Sequence, residues 1–333
     1  MVITKEKSLI LKGVAINFMI LLHLFASPER IEPEKVEKIF DIFGYGLEYY
    51  IGQFSSICVG IYLLLSGYGF NKKYENKKIE FKEILKRIIT FYKEYWKIFI
   101  IFIPLGYYLK VYNFNYKIFI LNFFSISNSY NGEWWFIKYY ILFILTFYFI
   151  NKYSIKRMML YSFFLFVFHF TSVFYKIEGI EVIYRYCYWQ FYFILGIELS
   201  KSKYELKVDN NTIIKTLIIV LFLGYSIIIY IDKYEILFQP LVTLIFVVLF
   251  IKLDLDSIIK KYLELMGKHS TNIWLFHSFF CYYYFKKYVY YFKNPIIIFV
   301  IFVFFNLAIS SIINKIYLNK ELLIFKKEEK DKR

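Results

Sequence analysis

The chain has 333 residues, 59% hydrophobic and 24% aromatic, with a mean hydropathy of +0.48. Soluble domains are about half apolar with far fewer aromatics, so this balance excludes an ordinary soluble enzyme and predicts a polytopic membrane protein. A net charge of +16 would suggest nucleic acid in a soluble chain, but here the cations gather in alternate loops, as membrane topology requires, and no nucleic-acid partner is expected.

Lys5 and Lys7 precede an apolar run, Leu9 to Ala26, that carries Lys12 and His23 and ends without a small-x-small cleavage site. It reads as a retained first helix rather than a removed signal. Eleven steps of about 100° place Lys12 and His23 on one helical face, roughly 16 Å apart along the axis. Ionisable groups inside a membrane helix are costly and mark substrate paths or reaction centres. Lys12 also lies near enough to the segment's start for its stem to snorkel to the headgroups. His23, toward the other boundary, titrates near neutrality and suits proton transfer; the alternative is a histidine packed against a neighbouring helix.

Further windows long enough to cross a bilayer, about 17 to 25 residues with tilt, run over Tyr49 to Phe70, Tyr95 to Leu109, Trp134 to Ile150, Met158 to Phe174, Tyr186 to Leu199, Ile213 to Ile231, Glu235 to Ile251, Thr271 to Phe285 and Pro295 to Tyr317. With the first, that predicts an all-α bundle of ten transmembrane helices. Phe114 to Ile126 is a further apolar stretch, interfacial or re-entrant, which leaves a count of eleven open. With the N-terminus inside, the loops Asn71 to Glu94, Asn151 to Arg157, Ser200 to Thr212 and Lys252 to His269 are cytoplasmic. The first of these holds Lys72, Lys73, Lys77, Lys78, Lys82, Lys86, Arg87 and Lys93, and the C-terminal tail adds Lys320, Lys326, Lys327, Lys330, Lys332 and Arg333. Opposite loops are poorer in cations, apart from Lys286, Lys287 and Lys293, so both termini are expected in the cytoplasm. No linker or repeat divides the chain, which reads as one membrane domain, 1–333, with a core of about 9–317 and a basic tail, 318–333.

Cys58, Cys187 and Cys281 lie far apart without CxxC or histidine at ligand spacing, so neither a disulfide framework nor a metal site is predicted. His169 and His269 match no motif. Four stretches stand out: Leu11 to Ile16 with His23, Leu65-Ser66-Gly67-Tyr68-Gly69, Gly132-Glu133-Trp134-Trp135-Phe136-Ile137, and Ser270 to His277.

With these residues the chain resembles the acyltransferase 3 family of integral membrane O-acyltransferases, which acylate bacterial surface polysaccharides and related glycans. Lys12 and His23 match its basic residue and histidine on helix one, with Lys where Arg is commoner. Leu65 to Tyr68 is similar to its LSGY element, Trp135 to Ile137 to its WFL element, and Ser270 to His277 to its late S…YLxH element. Lys86-Arg87 is similar to its basic stretch after helix two, without the usual proline. Glu133 stands where many relatives have histidine.

The resemblance implies an acyl-CoA donor, acetyl-CoA above all, reaching the site from the cytoplasm of a bacterial plasma membrane. It also implies a polysaccharide or glycolipid acceptor outside. Acyl transfer to a hydroxyl needs a base and an oxyanion donor. His23 is the expected base, Glu133 its partner across helices one and four, Lys12 a cation on the inner part of the stripe, and Lys86 and Arg87 the contacts for donor phosphates. Trp134 and Trp135 fit sugar stacking or the aromatic belt of the membrane boundary. Ser66 and Tyr68 fit substrate contact or close helix packing, and His277 fits a site residue or a buried hydrogen-bonder. The basic run is also suited to anionic lipid. The rival class is an exporter of a saccharide or lipid-linked saccharide, against which stands the lack of paired repeats.

Overall fold

Thr4 caps the first helix, its hydroxyl accepting from Lys7 N, and α1 (Lys5–Phe25) runs unbroken through both Lys12 and His23. The computed structural model describes residues 2–75, 77, 79–175, 179–202, 207–231 and 235–330, without the side chains of 235 and 318–330. Lys78, Lys332 and Arg333 therefore lie outside the described residues, and Lys320, Lys326, Lys327 and Lys330 outside the described side chains. After α1 come the short α2 (Pro28–Ile31) and a two-stranded hairpin, β1 (Asp41–Ile42) and β2 (Tyr45–Gly46). Next are α3 (Leu47–Phe54), a 3-10 turn over Ser55–Ile57, and α4 (Cys58–Tyr74). The chain continues through α5 (Phe81–Tyr108), α6 (Tyr116–Phe123), α7 (Trp135–Ile150), α8 (Ile155–Phe174) and α9 (Glu181–Lys201). It closes with α10 (Asn211–Ile231), α11 (Glu235–Lys252), α12 (Ser257–Ser278), α13 (Lys286–Val289) and α14 (Pro295–Lys330).

Every apolar window falls on helix. Among the described residues six segments are long and apolar enough to cross a membrane: Lys5–Phe25, Leu47–Tyr74, Gly132–Ile150, Ile155–Phe174, Asn211–Ile231 and Pro295–Tyr317. The chain is a helical, multi-pass membrane protein. Two expected loops prove to be helix. Residues 81–94 form the first half of α5, and residues 257–269 the first half of α12. The apolar run marks only the fully apolar part of a helix, whereas α5 begins amphipathically, with Ile84, Ile88, Phe91 and Tyr95 as its inward stripe. The stretch 114–126 contains the eight-residue α6, about 12 Å long and too short to cross. It doubles back on α5, where Tyr95 Oη and Trp96 Nε1 donate to the carbonyls of Asn122 and Phe123.

Among the described residues, α1 with α12 and α4 with α9 cross backbone to backbone through reciprocal glycine contacts. At α1 and α12 a Cβ on Gly13 would run into the Leu263 carbonyl, and one on Gly267 into the Leu9 carbonyl. At α4 and α9 Gly67 lies against the Phe193 carbonyl and Gly196 against that of Leu64. Without water's hydrophobic drive between helices, such small-residue contacts and interhelical hydrogen bonds hold a membrane bundle together. Asn17 provides one of the latter, its Oδ1 accepting from Tyr262 Oη at 2.6 Å. Gly67→Ala is expected to force the helices apart, with a loss of about 1–3 kcal/mol read as a lower unfolding midpoint in detergent. Gly69→Ala, where a Cβ meets open space, is expected to be neutral.

Candidate active site

α1 and α12 run in the same direction, so their inner residues meet in order: Asn17 beside Tyr262, and His23 beside His277. Between them and α4, α5 and α7 lies a cavity of about 170 Å³. α1 contributes Lys12, Met19 and His23, the single face set by seven- and four-residue steps, so the cavity extends some 16 Å along that helix. α4 adds Val59, Tyr62 and Ser66, and α12 adds Ser270, Thr271 and Trp274. Phe91, Phe136, Tyr140 and Trp274 form an aromatic wall with ring centroids 4.7 to 6.1 Å apart.

At one end of the cavity His23 Nε2 stands 3.5 Å from Glu133 Oε2. Glu133 reaches it because the chain turns into α7 through a 3-10 turn, Gly132–Trp134. Asn131 Oδ1 caps that turn, accepting from Glu133 N at 3.0 Å and from Ser278 Oγ at 3.0 Å. Glu133 Oε1 accepts from Arg30 Nη2 at 2.7 Å. A carboxylate in such a pair is an acceptor only, so the His23 nitrogen facing it, Nε2, is assigned the hydrogen, leaving the lone pair on Nδ1. Nδ1 is buried and has no hydrogen-bond partner among the described residues.

His277 shows the same feature. Its Nδ1 donates to the carbonyls of Ile273 and Trp274 at 2.9 and 3.0 Å, and its Nε2 is buried without a partner. The two imidazole rings meet edge to face, 4.9 Å between centroids. Buried polar atoms are nearly always paired, so a bare ring nitrogen on each of two neighbouring imidazoles is an exception that calls for a cause.

α12 gives way at Phe279–Tyr284 to a π-helical turn, a form that recurs at functional sites. Its three tyrosines tie three parts of the site together. Tyr282 Oη donates to the His23 carbonyl, Tyr283 Oη accepts from Gly132 N, and Tyr284 Oη donates to the Phe102 carbonyl.

Toward the other end, Lys12 lines the cavity about three turns of α1 from His23. Arg87 lies with its guanidinium 3.7 Å over the Phe70 ring and donates to Tyr140 Oη at 3.3 Å, Tyr140 itself lining the cavity.

Of the residues singled out in the sequence, His23, Glu133, Lys12, Ser66 and Trp135 line the cavity, Arg87 adjoins it through Tyr140, and His277 backs onto His23. Three lie elsewhere. Trp134 is 1% exposed, donates from Nε1 to the Leu275 carbonyl and packs on Tyr95 and Phe279. Tyr68 is buried, its hydroxyl accepting from Ile3 N and so anchoring the segment before α1. Lys86 is exposed on another face of α5. His169 and His269 pair with the Tyr184 carbonyl and Ser310 Oγ, and the three cysteines are buried and unpaired.

Arg30, Tyr282, Asn131 and Tyr140 were not foreseen. The chain has five arginines against 37 lysines, and two of those five, Arg30 and Arg87, belong to this site. A rare arginine where lysine is the habit was the available signal.

The family profile described as an acyltransferase domain, that of acyltransferase 3, matches residues 10–315. No curated protein and no solved structure matches the chain.

Proposed function

Because this chain belongs to the acyltransferase 3 family and is a membrane acyltransferase, we propose that it moves an acetyl group from acetyl-CoA to a hydroxyl of an extracytoplasmic or lipid-linked polysaccharide, in a bacterial plasma membrane that it crosses ten times with both termini inside. The observation that carries this reading is the His23–Glu133 pair at one end of a cavity that Lys12 lines toward the other, with Arg87 adjoining it through Tyr140. A base at one end and cations at the other suit a hydroxyl and a polyphosphate thioester arriving from opposite sides.

His23 Nδ1 takes the hydroxyl proton as the hydroxyl oxygen bonds to the thioester carbonyl carbon. Glu133 holds the imidazole in the required tautomer and steadies its positive form, the orienting role of the acid in hydrolytic triads. The carbon–sulfur bond then breaks, and His23 returns the proton to the departing sulfur, leaving an ester and a thiol. His277, its Nδ1 already committed to backbone, offers Nε2 to the arriving hydroxyl or to a water beside it. Trp135 and Trp274 present flat apolar faces to the saccharide side of the cavity, and Ser66 a hydroxyl. Lys12 and Arg87 fit the donor's anionic part, and anionic lipid lies along the basic face of α5.

Membranes containing the protein, given labelled acetyl-CoA and a crude envelope glycan extract, are expected to release base-labile labelled glycan. Membranes without it are expected to release none. Equal label in both, or saccharide translocation without label, contradicts the reading, the latter in favour of an exporter.

A further inference from the structure

Glu133 has a second partner that the transfer step leaves unused. Arg30 sits on α2, outside the apolar spans, with its guanidinium 3.8 Å over the Tyr282 ring and its Nη2 on Glu133 Oε1. The same Tyr282 donates to the His23 carbonyl and lies edge-on to the His23 ring, 5.7 Å between centroids. Four groups from α1, α2, the turn before α7 and the π-helical turn thus form a closed loop, with Arg30 and His23 each touching both the carboxylate and the phenol.

A carboxylate's terminal torsion is broad and roughly two-fold, so one contact at His23 would not fix which oxygen faces Nε2 or at what angle. Arg30 occupies Oε1 and leaves Oε2 for the imidazole. Resting on the transfer reading above, we propose that Arg30 is a positioning residue. It holds the Glu133 carboxylate at the angle that keeps the hydrogen on His23 Nε2 and the basic lone pair on Nδ1, and Tyr282 is the seat that holds Arg30. The role needs a planar, permanently charged group that stacks and donates at once, which a lysine ammonium does not provide.

The test uses the full chain in nanodiscs, with labelled acetyl-CoA and the crude envelope glycan extract, and separates turnover from donor KM. Arg30→Gln is expected to lower turnover roughly 10- to 100-fold, the scale of a misaligned reacting group, with donor KM unchanged. Arg30→Lys is expected to restore only part of it. Tyr282→Phe, which keeps the seat, is expected to exceed Tyr282→Leu. In a Glu133→Gln background Arg30→Gln is expected to add no further loss, as residues acting through one another do. Unfolding midpoints accompany each variant, so a loss of fold is distinguished from a loss of alignment. A wild-type turnover in Arg30→Gln, or a loss that adds fully to that of Glu133→Gln, overturns the positioning role alone. Absence of label transfer by the unmodified chain overturns the transfer reading and the positioning role with it.

Discussion

His23→Asn is expected to lower acetyl transfer by about 10³-fold, within the range for loss of a general base, while the protein still folds. His23 is 8% exposed and packed edge-on between His277 and Tyr282, so the smaller amide leaves a modest gap and a small fall in unfolding midpoint. Its own fold-stabilising contact, the backbone carbonyl that accepts from Tyr282, is kept. Glu133→Gln is expected to cost less, roughly 10²-fold, at the low end of the range for groups that serve proton transfer, because the base survives and only its orientation and the steadying charge are lost. Initial rates at saturating donor measure both. Turnover near wild type in His23→Asn would remove the base from the scheme.

The second large effect is expected at the other end of the cavity and in a different kinetic constant. Lys12→Met with Arg87→Met is expected to raise the donor KM about 100-fold, roughly tenfold for each lost cation at 1.4 kcal/mol per decade, with little change in turnover. Methionine keeps most of the stem, so the apolar packing that Arg87 makes over Phe70 is partly preserved. Lys86→Met is the internal control. Lys86 is exposed on another face of α5, where a charge is worth little, and a shift of less than about twofold is expected. Equal shifts for Lys86 and Arg87 would mean that only bulk positive charge matters.

The helical architecture was legible because apolar runs of bilayer length leave the backbone few choices, and each of the ten windows falls on helix. The starts of α5 and α12 were not legible from those runs, since both begin as amphipathic helices carrying Lys82, Lys86 and Arg87, or Lys260 and Lys261. Within the site, the Lys12 and His23 stripe could be read because helical periodicity alone fixes it, and both residues line one cavity. Residues adjacent in a motif could not be sorted. Trp134 and Trp135 point about 100° apart, so one is core and the other lines the cavity, and Ser66 and Tyr68 diverge in the same way. Arg30 lies on a four-residue helix between span and hairpin, where no period predicts direction. Its pairing with Glu133, 103 positions away, is set by tertiary packing alone.

A cryo-EM map of the protein in nanodiscs with a non-hydrolysable analogue of acetyl-CoA, in which a methylene separates the sulfur from the acetyl carbonyl, tests the shared site most directly. The expected result is density running from Lys12 and Arg87 along α1, with the analogue's ketone carbonyl beside His23 Nδ1 and Glu133 still on Nε2. Density confined to the surface near Lys86, or a cavity that stays closed while the analogue sits elsewhere, would contradict it.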